Sequence, residues 1–114
     1  MTSSPPYRRA VRAGDFLYIS GQLPVRDGDV IDGDVAAHTT QALANLDAVL
    51  AEHGASARQV VKTTVLLADI GDWAAMNVPY LAFFDADALP SRSAFGVDLP
   101  RGALVEIEAV AYLG

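Results

Sequence analysis

The chain has only three glutamates, and two of them, Glu106 and Glu108, stand in one short segment, Val105-Glu106-Ile107-Glu108. Upstream, a single arginine lies between two serines in Pro90-Ser91-Arg92-Ser93. A guanidinium is a planar fork that fits a carboxylate bidentately. A carboxylate a few ångströms away can take a proton from water. Together these residue types suit hydrolysis of a small acid, with Arg92 pinning the substrate carboxylate and one of the two glutamates activating a water. They equally make a plain Arg–Glu ion pair, and a solvent-facing strand edge is an ordinary place for a glutamate. Both readings stand at this point.

Other chemistries find little support. There is no cysteine, so disulfides, thiolate metal sites and a thiol nucleophile are excluded. His38 and His53 are the only histidines. They fall about 22 Å apart along one predicted helix, too far to share a metal, and both are expected on the surface. Ser20 has no evident base beside it. No glycine-rich phosphate loop is present. Trp73 and the Phe83-Phe84 pair read as core. The net charge is −6 with eight Lys and Arg, which disfavours nucleic acid as a partner. Arg8, Arg9 and Arg12 read as a solvated strand or loop. No apolar run reaches the roughly 18 residues of a membrane span, and Met1 to Pro6 shows no signal-peptide core, so a cytoplasmic protein is expected.

The elements that must position Arg92 and the two glutamates follow from patterning. The 114 residues, 52% of them hydrophobic, suit one domain over 1–114 with one core. Asp15 to Ser20 predicts a strand, with Tyr7 to Val11 as a short partner. Gln22 to Gly33 predicts a loop. Asp34 caps a helix from Val35 to about His53, with Gly54 beyond its end and Leu43, Leu46, Val49 and Leu50 as its apolar stripe. Val60 to Ala68 predicts a buried strand. Asp72 caps a second helical segment, Trp73 to about Ala86. Pro79 is expected to split off its first turn, and Tyr80, Leu81, Phe83 and Phe84 form its apolar face. Arg92 to Asp98 and Ala103 to Tyr112 are the last two strands, joined by a turn at Leu99 to Gly102. The order, β(β)αβαββ, is that of an α+β domain with two helices on one face of a sheet.

Alternation assigns faces. Ala103, Val105, Ile107, Ala109 and Ala111 point under the helices, as do Leu17 and Ile19. Ser93, Phe95 and Val97 are expected with them. Phe16, Tyr18, Leu104, Val110 and Tyr112 point away, and Arg92, Glu106 and Glu108 are expected to share that opposite face. A mixed aromatic and aliphatic face has no third layer to cover it in a chain of this length. Self-association through the sheet is the simplest cover.

Several stretches resemble the RidA/YjgF family of reactive-intermediate deaminases. They are Ser20-Gly21-Gln22-Leu23-Pro24, Gln41-Ala42-Leu43-Ala44-Asn45-Leu46 and Val61-Lys62-Thr63-Thr64-Val65. Met76 to Phe84, Pro90-Ser91-Arg92-Ser93 and Val105 to Ala111 follow in family order, so the match covers nearly the whole chain. The resemblance implies a chorismate-mutase-like fold assembled as a homotrimer, sheets inward, with a pocket at each subunit interface. It implies hydrolysis of small 2-imino or enamine acids, such as 2-iminopropanoate and 2-iminobutanoate, to 2-keto acids and ammonium, with no metal or organic cofactor. By position, Arg92 matches the arginine that binds the substrate carboxylate and Glu106 the glutamate that positions or activates water. Ser20, Asn77 and Tyr7 match pocket residues, and Glu108 matches a structural glutamate. Many relatives carry cysteine where this chain has Ala94, whose backbone is left to bind beside Arg92. A trimeric binder of small carboxylates, and a pathway enzyme acting on a larger imine, are the alternatives.

Overall fold

The computed structural model describes residues 4–114. In chain order the strands and helices are β1 (Ala10–Ala13), β2 (Phe16–Gln22), β3 (Val25–Arg26), β4 (Asp29–Val30), α1 (Val35–Glu52), β5 (Val60–Leu67), α2 (Trp73–Phe83), β6 (Ser91–Gly96) and β7 (Val105–Tyr112). Five strands form one sheet in the order β1-β2-β7-β5-β6, with only β5 and β6 running parallel. The expected α+β arrangement, a mixed sheet with two helices on one face, is present.

Local chemistry explains the elements. The Asp34 side chain accepts from the Ala37 N–H and starts α1, a cap worth about 1 kcal/mol. Gly54, at φ +69°, lies just past the helix end, where a left-handed residue is needed. Leu43, Leu46, Val49 and Leu50 are all buried, as the stripe predicts. They pack on Leu17, Val65, Ile107 and Ala111 from the sheet. Asn45, on the same helix, donates to the carbonyls of Leu23 and Val25 and so ties the chain after β2 to α1.

Five expectations need correction. Gln22 to Gly33 is not only loop: β3 and β4 pair across Asp27-Gly28, both at positive φ, the backbone of a tight hairpin turn. The partner strand of β2 begins at Ala10, so Tyr7 precedes it. Pro79 does not split α2. The carbonyl that loses its bond to Pro79 is that of Ala75, an exposed residue whose carbonyl water can serve. Leu81 is exposed, while Tyr80 and Phe84 are buried. His38 is buried rather than superficial, because its Nδ1 accepts from the Leu104 N–H at 3.1 Å.

One irregularity matters below. Ile19 pairs with Ala109, yet Gln22 pairs with Ile107, so β2 carries a bulge at Ser20-Gly21.

Candidate functional site

The candidate residues gather in two places. Arg92 lies on β6 in parallel register with Thr63, and Thr63 in turn pairs with Ala109. Thr63 and Ala109 are buried beneath the helices, so Arg92 is on the helix-covered face, at the edge of the sheet. Glu106 pairs with Leu66, and Leu66 with Phe95; these occupy the open face. Arg92 and Glu106 therefore point to opposite faces of one chain, against the same-face expectation. Nor are their strands neighbours, since β5 lies between them.

The first cluster is built by α2. Arg92 Nη1 donates to Asn77 Oδ1 at 2.7 Å and lies 3.9 Å from the Met76 sulfur. The guanidinium carbon is 4.7 Å from the Tyr80 ring centre and 5.1 Å from that of Trp73. Such contacts stabilise the cation when it is partly desolvated. Tyr80 is itself fixed from below by a 2.7 Å hydrogen bond with Thr63. Burial raises the Tyr80 pKa, with the Thr63 bond and the Arg92 charge pulling the other way, so the phenol stays neutral. Among the described residues no carboxylate lies within 4.0 Å of Arg92, which removes the plain ion-pair reading. Asn77, Tyr80, Leu81, Leu89, Pro90 and Arg92 line a cleft of about 230 Å³. Ala94, two residues along β6, lies half-buried on the same face.

The second cluster is built by the β2 bulge against β7. A Cβ on Gly21 would lie 2.8 Å from the Glu106 carboxyl carbon, so glycine lets that carboxyl rest on the bulge backbone. Burial pushes the Glu106 pKa above the ordinary carboxylate value, and the charge of Glu108 adds to the push. Glu108 follows one strand repeat along the same face. Ser20 donates its hydroxyl to the Arg8 carbonyl at 2.6 Å, so this side chain is engaged with backbone. Tyr7 and Ser20 share a cleft of about 240 Å³ with Arg9, Gly21, Asn45 and Arg101. Tyr7 is 61% exposed and outside any strand.

Two members of the first cluster were missed from sequence as site components. Trp73 reads as plain core but is 42% exposed; Tyr80 reads as core and is, while also carrying Arg92. The sequence signal was the spacing Trp73, Asn77, Tyr80, which places all three on one side of a helix. Among the described residues no group of His, Asp and Glu is arranged to hold a metal, and no helix is long and apolar enough to cross a membrane.

Comparison with known proteins is consistent across sequence and structure. The family model described as Endoribonuclease L-PSP matches residues 1–113. The mouse (Mus musculus) 2-iminobutanoate/2-iminopropanoate deaminase is 45% identical over 112 residues, which is 96% of this chain and 82% of that protein. The crystal structure of RidA from an Antarctic Psychrobacter is 34% identical with a TM-score of 0.89, covering 97% of this chain and 91% of that one. E. coli TdcF, solved with bound serine, is 34% identical with a TM-score of 0.89, covering 98% and 91% respectively. A family match from end to end and relatives of this identity over almost the full length have one meaning: the chain belongs to the RidA/YjgF/L-PSP family.

Proposed function

We propose that the protein hydrolyses small reactive 2-imino acids, such as 2-iminopropanoate and 2-iminobutanoate, to 2-keto acids and ammonium. The observation that carries this reading is Arg92: a half-buried guanidinium held by Asn77 and two aromatic rings, with no carboxylate partner within 4.0 Å among the described residues. A cation so placed is ready for an anion from outside the chain. The mouse relative's name supplies the substrate class.

In this reading the whole chain, 1–114, is one domain of chorismate-mutase-like fold, assembled as a homotrimer. Val11, Phe16, Tyr18, Phe95 and Tyr112 are all exposed on the open face and need a cover. A closed ring of heterologous contacts covers that face three times over. It also resolves the separation of the clusters: the Arg92 cleft of one protomer meets the Glu106 and Gly21 wall of the next. Neither cleft need be a complete site alone.

The chemistry then needs few parts. Arg92 holds the substrate carboxylate, and Asn77 fixes one Nη of the fork. The backbone at Ala94, Ser20 and Tyr7 fill the remaining contacts. Glu106 takes a proton as water adds to the electrophilic C2, and returns it as the C–N bond breaks. The imine nitrogen leaves as ammonium and the oxygen stays as the ketone. Orientation and one proton acceptor suffice for an iminium carbon, so the step asks for no metal, organic cofactor or thiol. A cytoplasmic setting belongs to this reading, although a fission-yeast relative is mitochondrial by name.

The test is to generate 2-iminopropanoate in situ with an amino acid oxidase and follow its loss with and without the protein. Faster loss and pyruvate formation are expected. Loss at the uncatalysed rate by a folded, oligomeric protein would overturn the reading.

A further inference from the structure

We infer that Trp73, Tyr80 and Thr63 are positioning residues for Arg92, a framework that sets the plane of its guanidinium before any ligand arrives. The inference rests on the reading of Arg92 as a carboxylate anchor. Trp73 and Tyr80 are seven residues, about two turns, apart on α2, which puts them on one side of the helix. The guanidinium carbon lies 5.1 Å from the Trp73 ring centre and 4.7 Å from that of Tyr80, so both rings contact it at once. Asn77, one turn from each, accepts from Nη1 at 2.7 Å and stops rotation within the slot.

Tyr80 is the fixed wall. It is 3% exposed, and its hydroxyl shares a 2.7 Å hydrogen bond with Thr63, which is fully buried. Thr63 is also the register partner of Arg92 on the adjoining strand. The three residues close a triangle: strand pairing holds Thr63 beside Arg92, Thr63 holds the Tyr80 hydroxyl, and the Tyr80 ring carries the guanidinium. Trp73, 42% exposed, is the outer wall. An arginine on an edge strand would otherwise sample many rotamers, and ordering it on binding costs affinity. The slot removes that cost beforehand.

The test measures Arg92 directly and through a ligand. In protein labelled with ¹⁵N-arginine, the Arg92 Nε–H signal, assigned by its loss in Arg92→Lys, should be shifted upfield by the two rings. Trp73→Leu and Tyr80→Leu should each move it toward the free-arginine position, and Trp73→Phe should restore most of the shift. The affinity for 2-ketobutyrate should fall about tenfold in each Leu variant, the scale of one partly desolvated cation–π contact. KM should rise with kcat nearly unchanged, since Arg92 grips substrate and transition state alike. Thr63→Val and Tyr80→Phe should give smaller changes in the same direction. If Tyr80→Leu fails to fold, the exposed Trp73→Leu carries the test. An unshifted Arg92 signal in the parent protein, or one unchanged in folded Trp73→Leu, overturns the inference. Failure of the parent to bind 2-ketobutyrate overturns the functional reading instead, and the Arg92 signal still decides the positioning role.

Discussion

The Arg92 cluster and the Glu106 cluster are built on opposite principles. Arg92 is held by rings, a sulfur and an amide oxygen, all of them uncharged, so its full positive charge remains for a ligand. Glu106 is held by the absence of a side chain at Gly21 and is pressed by a like charge from Glu108. One cluster keeps its charge by stabilising it without neutralising it. The other raises the proton affinity of its carboxyl by crowding it. Their places on opposite faces of the sheet keep the two charges from pairing within one chain. In the proposed site, a fork and a base that met in one protomer would form a salt bridge instead.

Breaking that division outright gives the largest expected effect. If the protein is the proposed trimer, Arg92→Ala and Glu106→Gln should each be nearly inactive. Mixed by co-refolding in equal amounts, they should recover activity at about a quarter of the sites, those that draw intact Arg92 from one protomer and intact Glu106 from its neighbour. Steady-state assay of the mixture against each parent measures it. No recovery in a verified mixed oligomer would place both residues' work within one chain.

Removing only the proposed base sharpens the comparison. Glu106→Gln keeps shape and hydrogen bonding, so turnover should fall by roughly 10²-fold while 2-keto acid affinity stays near the parent value. Measured kcat and Kd together separate the roles. An equal loss in both would make Glu106 part of the anchor.

The smallest effect concerns the crowding. If Glu106 is the base it must be ionised, and its raised pKa should move the acid limb of kcat/KM above the ordinary glutamate value of about 4.3. Burial is the larger cause and Glu108 the smaller. Glu108→Gln should therefore shift the limb part of the way down without lowering the plateau. A pH–rate profile that does not move would mean the limb belongs to another group.

Much of this was legible in the sequence, and the misses have physical causes. β2 and β7 are flanked by strands and covered on one face, so their alternation of apolar and polar residues fixes which way each side chain points. The α1 stripe is equally plain. β6 is an edge strand of mixed composition, Ser91-Arg92-Ser93-Ala94-Phe95-Gly96, and its phase cannot be set by alternation alone. Counting Phe95 as core turned the strand over. In the fold Phe95 is 52% exposed, while Arg92 sets its guanidinium against Met76, Asn77 and Tyr80 of α2. The hairpin turn at Asp27-Gly28 carried a readable signal that a loop of many small polar residues concealed. Which face Arg92 occupies depended on α2, and no local pattern encodes that contact.

The bulge in β2 has a consequence for how this sequence can vary. Before it, odd-numbered residues lie under the helices; after it, even-numbered Gln22 pairs with inward-facing Ile107. The extra residue thus acts as a change of phase, like a frameshift written in side-chain directions rather than codons. Loss of one residue at Ser20-Gly21 would remove little mass and no core contact of its own. It would nevertheless turn over Gln22 and the chain up to the Asn45 tether, and take the Gly21 backbone away from Glu106. Insertions and deletions should be tolerated at the Asp27-Gly28 tip and excluded here, a contrast in permitted length that substitutions alone would never disclose.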